Sequence, residues 1–349
     1  MKDTREVTIY DIARQLHISP ATVSRGLNNH PAVSKKTRQK ILEVAQALGY
    51  RSNTFASNLR KQRTNTLGVI VPKLNSHFVS AVLAGIEKVA NEAGYNLIIS
   101  QSLESAQKEI ANANTMFKSR VDGLIVSLAF DTQDLSHFDP FFKKGIPVIF
   151  FDRVEQHLPS STHIIIDNQK AGYLATEHLI EQGCRRILHI TGNLTRNVYA
   201  DRLKGYQQAL RAHGLAFHET DVIVSMLDEK SAWETGRQIA AMRPLPDGLF
   251  VANDTFAAIC MQALKEKGIR IPEDIAIVGF NDDLVSRVVE PPLTTIHYPG
   301  QEMGELVARH LINHLQGTMP LTHTHTIIIH SELIIRQSSL RKLHQKKEP

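Results

Sequence analysis

The sequence predicts an α/β protein: a small all-helical head followed by two open parallel α/β sheets. Three observations carry this. Apolar residues recur at helical spacing through about the first 50 positions. After residue 66 come eight apolar runs of strand length, about 25–28 residues apart in the first series, with helical patterns between them. Charge divides at the same place: residues 1–66 hold twelve Lys/Arg against four Asp/Glu, a net of +8, whereas residues 67–349 carry a net of −3. A basic head on a near-neutral body points to nucleic acid.

The composition excludes other classes. With 349 residues and 42% apolar content the chain can bury more than one core, which rules out a disordered or collagen-like protein. Two cysteines, Cys184 and Cys260, are too few for a disulfide framework and fit a reduced compartment. Met1 to Ser19 has no apolar stretch of signal-peptide type, and no run approaches the roughly 20 residues of a membrane span. The expectation is a cytoplasmic protein without a membrane partner.

In the head, Thr8 can cap a helix over Ile9–Leu16, with Asp11 in its first turn and Ile9, Ile12, Ala13 and Leu16 on one face. His17-Ile18 makes a tight turn. Ser19 caps a second helix with Pro20 at its first position, running to about Leu27. Ser34 caps a third that ends before Gly49. Two short helices on so short a turn form a helix-turn-helix, whose second helix enters the major groove. Pro20 and Ala21 then offer apolar contacts to base edges, and the planar fork of Arg25 matches guanine O6 and N7. Ser19, Thr22, Ser24, Asn28, Ser34, Thr37 and Arg38 suit phosphates, which fix register. Lys35-Lys36 and Arg60-Lys61 predict strongly salt-dependent binding.

The segment from Val7 to Arg60, with T-x-x-D-I-A at 8–13, S-x-x-T-V-S-R at 19–25, T-R at 37–38 and G-Y at 49–50, closely resembles the DNA-binding head of the lactose-repressor (LacI/GalR) family. The resemblance implies a head over 1–51, with Thr8, Tyr50 and Asn53 joining the DNA-contacting set. It also implies a hinge helix and linker over 52–65, in which Ala56 allows close helix–helix approach and Leu59 wedges between central base pairs from the minor groove.

In the body, the first strand series begins at Leu67, Tyr95, Val121 and Ile146, and the second at Arg186, Asp221, Gly248 and Asp274. Two series imply two lobes, with a ligand beyond the carboxyl ends of the strands. Asp152-Arg153, Asn253-Asp254 and Asn281-Asp282 follow strands there, and such a mixture of donors and acceptors suits a polyol. The family resemblance continues more loosely to about Ser338, through VDGLIV, IPVIFFDR, RLKGY, AND, IVGFNDD and PPLTTI. It implies a core over 66–337 like the periplasmic sugar-binding proteins. Lobe 1 would span about 66–165 plus 297–326, and lobe 2 about 166–296 plus 327–337, with a basic tail over 338–349. It also implies a small effector, expected to be a carbohydrate, held by Asp152, Arg202, Asn253 and Asn281, with His77 and Phe78 from the first lobe and Trp233 or Tyr199 as an aromatic wall. The family more often has Asp where this chain has Asn281, which alters the hydrogen-bond pattern or charge offered to the ligand.

No phosphate-loop, dinucleotide, zinc-protease or nucleophile-elbow motif occurs, so no catalytic residue, cofactor or metal is expected. His323, His325 and His330 read as an exposed polar edge rather than a metal site. The tail has no heptad pattern, which favours a homodimer. The function that follows is a repressor on a pseudo-palindromic double-stranded operator, under effector control. A transport receptor would need a signal peptide and no head, and a sugar-modifying enzyme would need a reactive motif.

Overall fold

The computed structural model describes residues 7–50, 63–155, 161–319, 321 and 325–341. They form two compact units that divide between Thr64 and Asn65. Among the described residues no helix is long and apolar enough to cross a membrane.

The first unit holds α1 (Ile9–Leu16), α2 (Pro20–Leu27) and α3 (Lys35–Ala47). The Asp11 carboxylate closes the start of α1 by accepting from the Thr8 N–H at 2.9 Å and its hydroxyl at 2.7 Å. His17, left-handed at φ 54°, ends α1 and turns the chain. Ser19 then opens α2 by accepting from the Thr22 N–H. Ile12, Ala13, Val23, Ile41 and Ala45 are the buried core of this unit. Gly26 lets α2 and α3 touch, since a Cβ there would lie 2.5 Å from Ile41 Cδ1.

The second unit runs β1 (Thr66–Val71), α4 (His77–Glu92), β2 (Asn96–Gln101), α5 (Ala106–Lys118), β3 (Gly123–Val126), α6 (Asp139–Lys143), β4 (Val148–Phe151) and β5 (Thr162–Ile166). It continues with α7 (Asn168–Glu181), β6 (Ile187–Thr191), α8 (Asn197–Ala212), β7 (Val222–Val224), α9 (Glu229–Ala241) and β8 (Gly248–Val251). Then come α10 (Asp254–Lys265), β9 (Ala276–Asn281), α11 (Leu284–Val288), β10 (Thr294–His297), α12 (Gly300–Leu315), β11 (His325–Ile329) and β12 (Glu332–Ile334). The strands make two sheets of one order, β2-β1-β3-β4-β5-β11 and β7-β6-β8-β9-β10-β12. All pairs are parallel except β10 with β12, so the second sheet is not wholly parallel as its sequence suggested. β12 enters straight after the chain returns from lobe 1, with no helical crossover before it to restore a parallel direction.

The chain passes between lobes three times: after β5, after β10, and between β11 and β12. The third passage, expected near 327, lies at 330–331, because Ile327, Ile328 and Ile329 still pair with Ile164, Ile165 and Ile166 in lobe 1. The segment read as a basic tail from 338 is anchored at its start. Ser338 and Ser339 are fully buried, and Arg341 donates to the carbonyls of Pro272, Asp247 and Asp274.

Each lobe has a helix seam in which glycine backbones meet a facing helix's carbonyls. In lobe 1, a Cβ on Gly304 of α12 would lie 2.0 Å from the Val82 carbonyl of α4, and one on Gly85 would lie 2.2 Å from the Gln301 carbonyl. In lobe 2, a Cβ on Gly205 of α8 would lie 2.0 Å from the Gln169 carbonyl of α7, and one on Gly172 would lie 2.3 Å from the Arg202 carbonyl. A large apolar cluster joins the lobes, with Tyr298 at the second passage stacked on Phe78 (4.2 Å) and set edge-on to Phe280 (5.9 Å), and a smaller one sets Phe130 of lobe 1 against Val198, Tyr199 and Ala252 of lobe 2.

Candidate effector site and nucleic-acid interface

In the head, the core takes Val23 and Gly26 from α2, which leaves Ser19, Ala21, Arg25 and Asn28 exposed and Pro20, Thr22 and Ser24 half-buried. Ser19 and Ser34 each accept from the N–H three residues on, of Thr22 and Thr37, at 3.1 Å. The amide of Asn28 donates back to the Ser24 carbonyl at 2.8 Å. Arg25 stands on the exposed face, where its fork can reach a base edge. Thr8 is half-buried at the start of α1, and Tyr50 packs against the head core rather than standing free. Asn53, Ala56 and Leu59 lie outside the described residues.

In the body, the strand order of each lobe reverses beside its first strand, between β1 and β3 and between β6 and β8. In such sheets ligands bind beyond the strand ends at that reversal. The two reversals face one cavity of about 360 Å³ between the lobes, a volume in the range of small-ligand sites. His77, Phe78, Asp152, Tyr199, Arg202, Asn253 and Asn281 all line it. Trp233 does not. It lies half-buried one turn into α9, with Arg237 of the same helix over its ring, while Glu229 from the first turn reaches the cavity.

Arg202 is the central feature. Its side chain is 3% exposed, its Nε donates to Asn168 Oδ1 at 2.9 Å, and its Nη1 donates to the Ala252 carbonyl at 3.3 Å. Its guanidinium lies 3.4 Å over the Phe280 ring. Among the described residues no carboxylate forms an ion pair with it, and burial lowers its pKa. Arg153 differs. Its Nη1 pairs with Glu104 Oε2 at 2.7 Å, its Nη2 donates to the Tyr199 hydroxyl at 3.2 Å, and Phe130 lies beneath it.

Asp152, left-handed at φ 57° where β4 ends, accepts from the Tyr298 hydroxyl at 2.7 Å. Asn253 caps α10 with its amide oxygen, accepting from the Phe256 N–H at 2.9 Å, a bond that does not use its NH₂. Asn281 also departs from ordinary backbone, at φ 113°. Backbone strain of this kind gathers where side chains are aimed at a ligand.

Asp254 and Asp282 follow strands yet do not line the cavity. Asp254 is fully buried and accepts from the Thr295 hydroxyl at 2.7 Å and the Asp283 N–H at 2.8 Å. Asp282 is taken by Arg336 (2.6 Å), Arg287 (3.0 Å) and His297 (3.5 Å). Burial pushes Asp254 up from 3.8 to about 7, and nearby Asp283 adds to the rise. The unfolded chain releases this proton near pH 4 and the folded chain near pH 7. Stability therefore falls as pH rises through that window and levels off above it. Urea midpoints between about pH 5 and 8 should show this fall in the native chain and lack it in Asp254→Asn. Equal slopes in both would mean that Asp254 ionises like an ordinary carboxylate.

Sequence reasoning missed Tyr298, Phe130, Phe280, Asn168 and Glu104. Phe130 and Tyr298 had a signal, since each lies shortly after a strand or at a passage between lobes. Asn168 and Glu104 had none, because they act by fixing Arg202 and Arg153.

Two family models match the chain: bacterial regulatory proteins, lacI family, over residues 8–53, and a periplasmic binding protein-like domain over residues 176–339. Catabolite control protein A from Priestia megaterium is 32% identical over 312 residues, covering 88% of this chain and 92% of the relative. A structure of the lac repressor dimer bound to operator and an anti-inducer has a TM-score of 0.85 at 26% identity, covering 97% of this chain and 100% of that one. The regulator CelR in complex with cellobiose has a TM-score of 0.71 at 27% identity, covering 95% and 100%. With the helix-turn-helix head and the two-lobed binding body in place, the chain belongs to the lacI family of bacterial regulatory proteins and is a DNA-binding transcription regulator, not an enzyme.

Proposed function

We propose that the chain is a dimeric repressor of a pseudo-palindromic operator, controlled by a sugar or sugar derivative held between the lobes. The observation that carries the effector reading is Arg202: a buried cationic fork with no carboxylate partner among the described residues, opening into a cavity with an acceptor carboxylate (Asp152) and an amide donor (Asn253). Aromatic rings and such alternating donors and acceptors match the faces and hydroxyls of a sugar. That one structural neighbour is a cellobiose complex supports this.

The dimer reading is supported by apolar side chains open to solvent. Leu284 and Val288 of α11 are 61% and 72% exposed, and Val288 lines a groove with Ile259 and Met261 of α10. The lac repressor neighbour is itself a dimer on its operator.

The experiment selects the preferred DNA from a random pool and titrates it by fluorescence anisotropy. Arg25→Ala is expected to lose about 1–3 kcal/mol and to relax preference at one base pair in each half-site. Retention of full affinity and selectivity would remove Arg25 from base readout. Sedimentation of the free protein as a monomer at the working concentration would overturn the dimer.

A further inference from the structure

The two rims of the cleft are closed very differently. On one rim, residues 193–197 of lobe 2, between β6 and α8, reach across to lobe 1. Asn193 Nδ2 donates to the Phe130 carbonyl at 3.1 Å, and Thr195 Oγ1 donates to the same carbonyl at 3.3 Å. Arg196 Nη2 donates to the Thr132 carbonyl. Asn197 does both, donating to the Asp152 carbonyl at 2.9 Å and accepting from the Val154 N–H at 3.0 Å. On the other rim the one close polar approach among the described residues is the ion pair of His77 Nδ1 with Asp283 Oδ1, at 3.2 Å, with His77 largely exposed.

We propose that residues 193–197 form a clasp that sets how far the lobes close, with Arg196 as its central positioning residue. Three features support this. Every lobe 1 partner of the clasp's hydrogen bonds is a backbone atom, so those bonds survive side-chain changes on lobe 1, and beside them Arg153 donates to the Tyr199 hydroxyl and Phe130 packs on the Tyr199 ring.

The receiving loop is also made rigid from behind. Buried Glu109 accepts from the Ala129 N–H at 2.8 Å and the Thr132 hydroxyl at 3.0 Å, and lies 3.1 Å from His137 Nε2. Finally, Arg196 is 4% exposed, with its Nε left without a partner and no carboxylate paired to it among the described residues. Its bond to the Thr132 carbonyl is charge-assisted, and such bonds are stronger than neutral ones, so its loss should weaken the clasp most.

The test measures lobe separation directly in the full chain and needs no effector, so its outcome is independent of the effector reading. Spin labels are placed at Lys108→Cys in lobe 1 and Glu234→Cys in lobe 2, both exposed. The native Cys184 and Cys260 are buried and stay unlabelled. Pulsed electron–electron distances are compared with and without Arg196→Ala. The expected result is a second, longer distance whose share rises by roughly tenfold, the worth of a lost charge-assisted hydrogen bond. If Arg196→Ala fails to melt cooperatively, the double variant Asn193→Ala, Thr195→Ala decides, since it removes both bonds to the Phe130 carbonyl and buries no new charge. A distance distribution unchanged from native in the folded variant would overturn the clasp.

Discussion

Arg202→Met is expected to abolish the rise in melting temperature that a cleft ligand gives the native chain, while leaving the unliganded protein as stable or more stable. The two halves have separate causes. Among the described residues the native guanidinium, buried on Phe280, has only neutral hydrogen-bond partners, Asn168 and the Ala252 carbonyl. Replacing such a buried charge with an apolar chain of similar volume is commonly neutral or stabilising by about 1–4 kcal/mol. A ligand, by contrast, loses charge-assisted hydrogen bonds worth about 1.5–3 kcal/mol each, enough to erase the roughly 2.7 kcal/mol gained at a hundredfold excess over Kd. A thermal-shift screen of native and variant protein against sugars, sugar phosphates, nucleosides and purines measures both. A hit retained at full size by the variant would place the ligand away from Arg202. A variant destabilised without ligand would mean that Arg202 is chiefly structural.

The second large effect concerns the helix seams. Gly205→Ala and Gly304→Ala each put a methyl 2.0 Å from a backbone carbonyl oxygen on the facing helix. No rotamer change relieves a contact with backbone, so the helices must part along their length. A loss of about 3 kcal/mol is expected in each, at the upper end of overpacking. Gly26→Ala in the head is the comparison. Its methyl would meet the flexible tip of Ile41 and should cost much less. Urea midpoints at constant m-value give all three. Equal losses at 26 and 304 would refute the distinction between backbone and side-chain obstruction.

Much of this molecule is legible before any coordinates. The capping serines and apolar stripes give α1 to α3 directly, and buried parallel strands announce themselves as uninterrupted runs. β12 escaped because three residues, none of them buried, make no run, and the third passage was misplaced because Ile327–Ile329 would suit either lobe. In the cleft, residues at strand ends or in recognisable motifs were found. Trp233 was misassigned, since helical position alone does not say which face meets the cavity. Asp254 and Asp282 show the same limit: a carboxylate after a strand looks alike whether it awaits a ligand or is already bonded to its neighbours.

The three passages between lobes have a mechanical consequence. β11 lies beside β5 in one lobe, and β12 lies beside β10 in the other. The third strap therefore runs next to both of the others, and the lobes are joined by three short ribbons side by side. Such an assembly is a leaf flexure: stiff against sliding and twisting, compliant in a single bend. Whatever enters the cleft has one soft coordinate to push on, so the range of signals the body can transmit is set by its joint before any ligand is chosen.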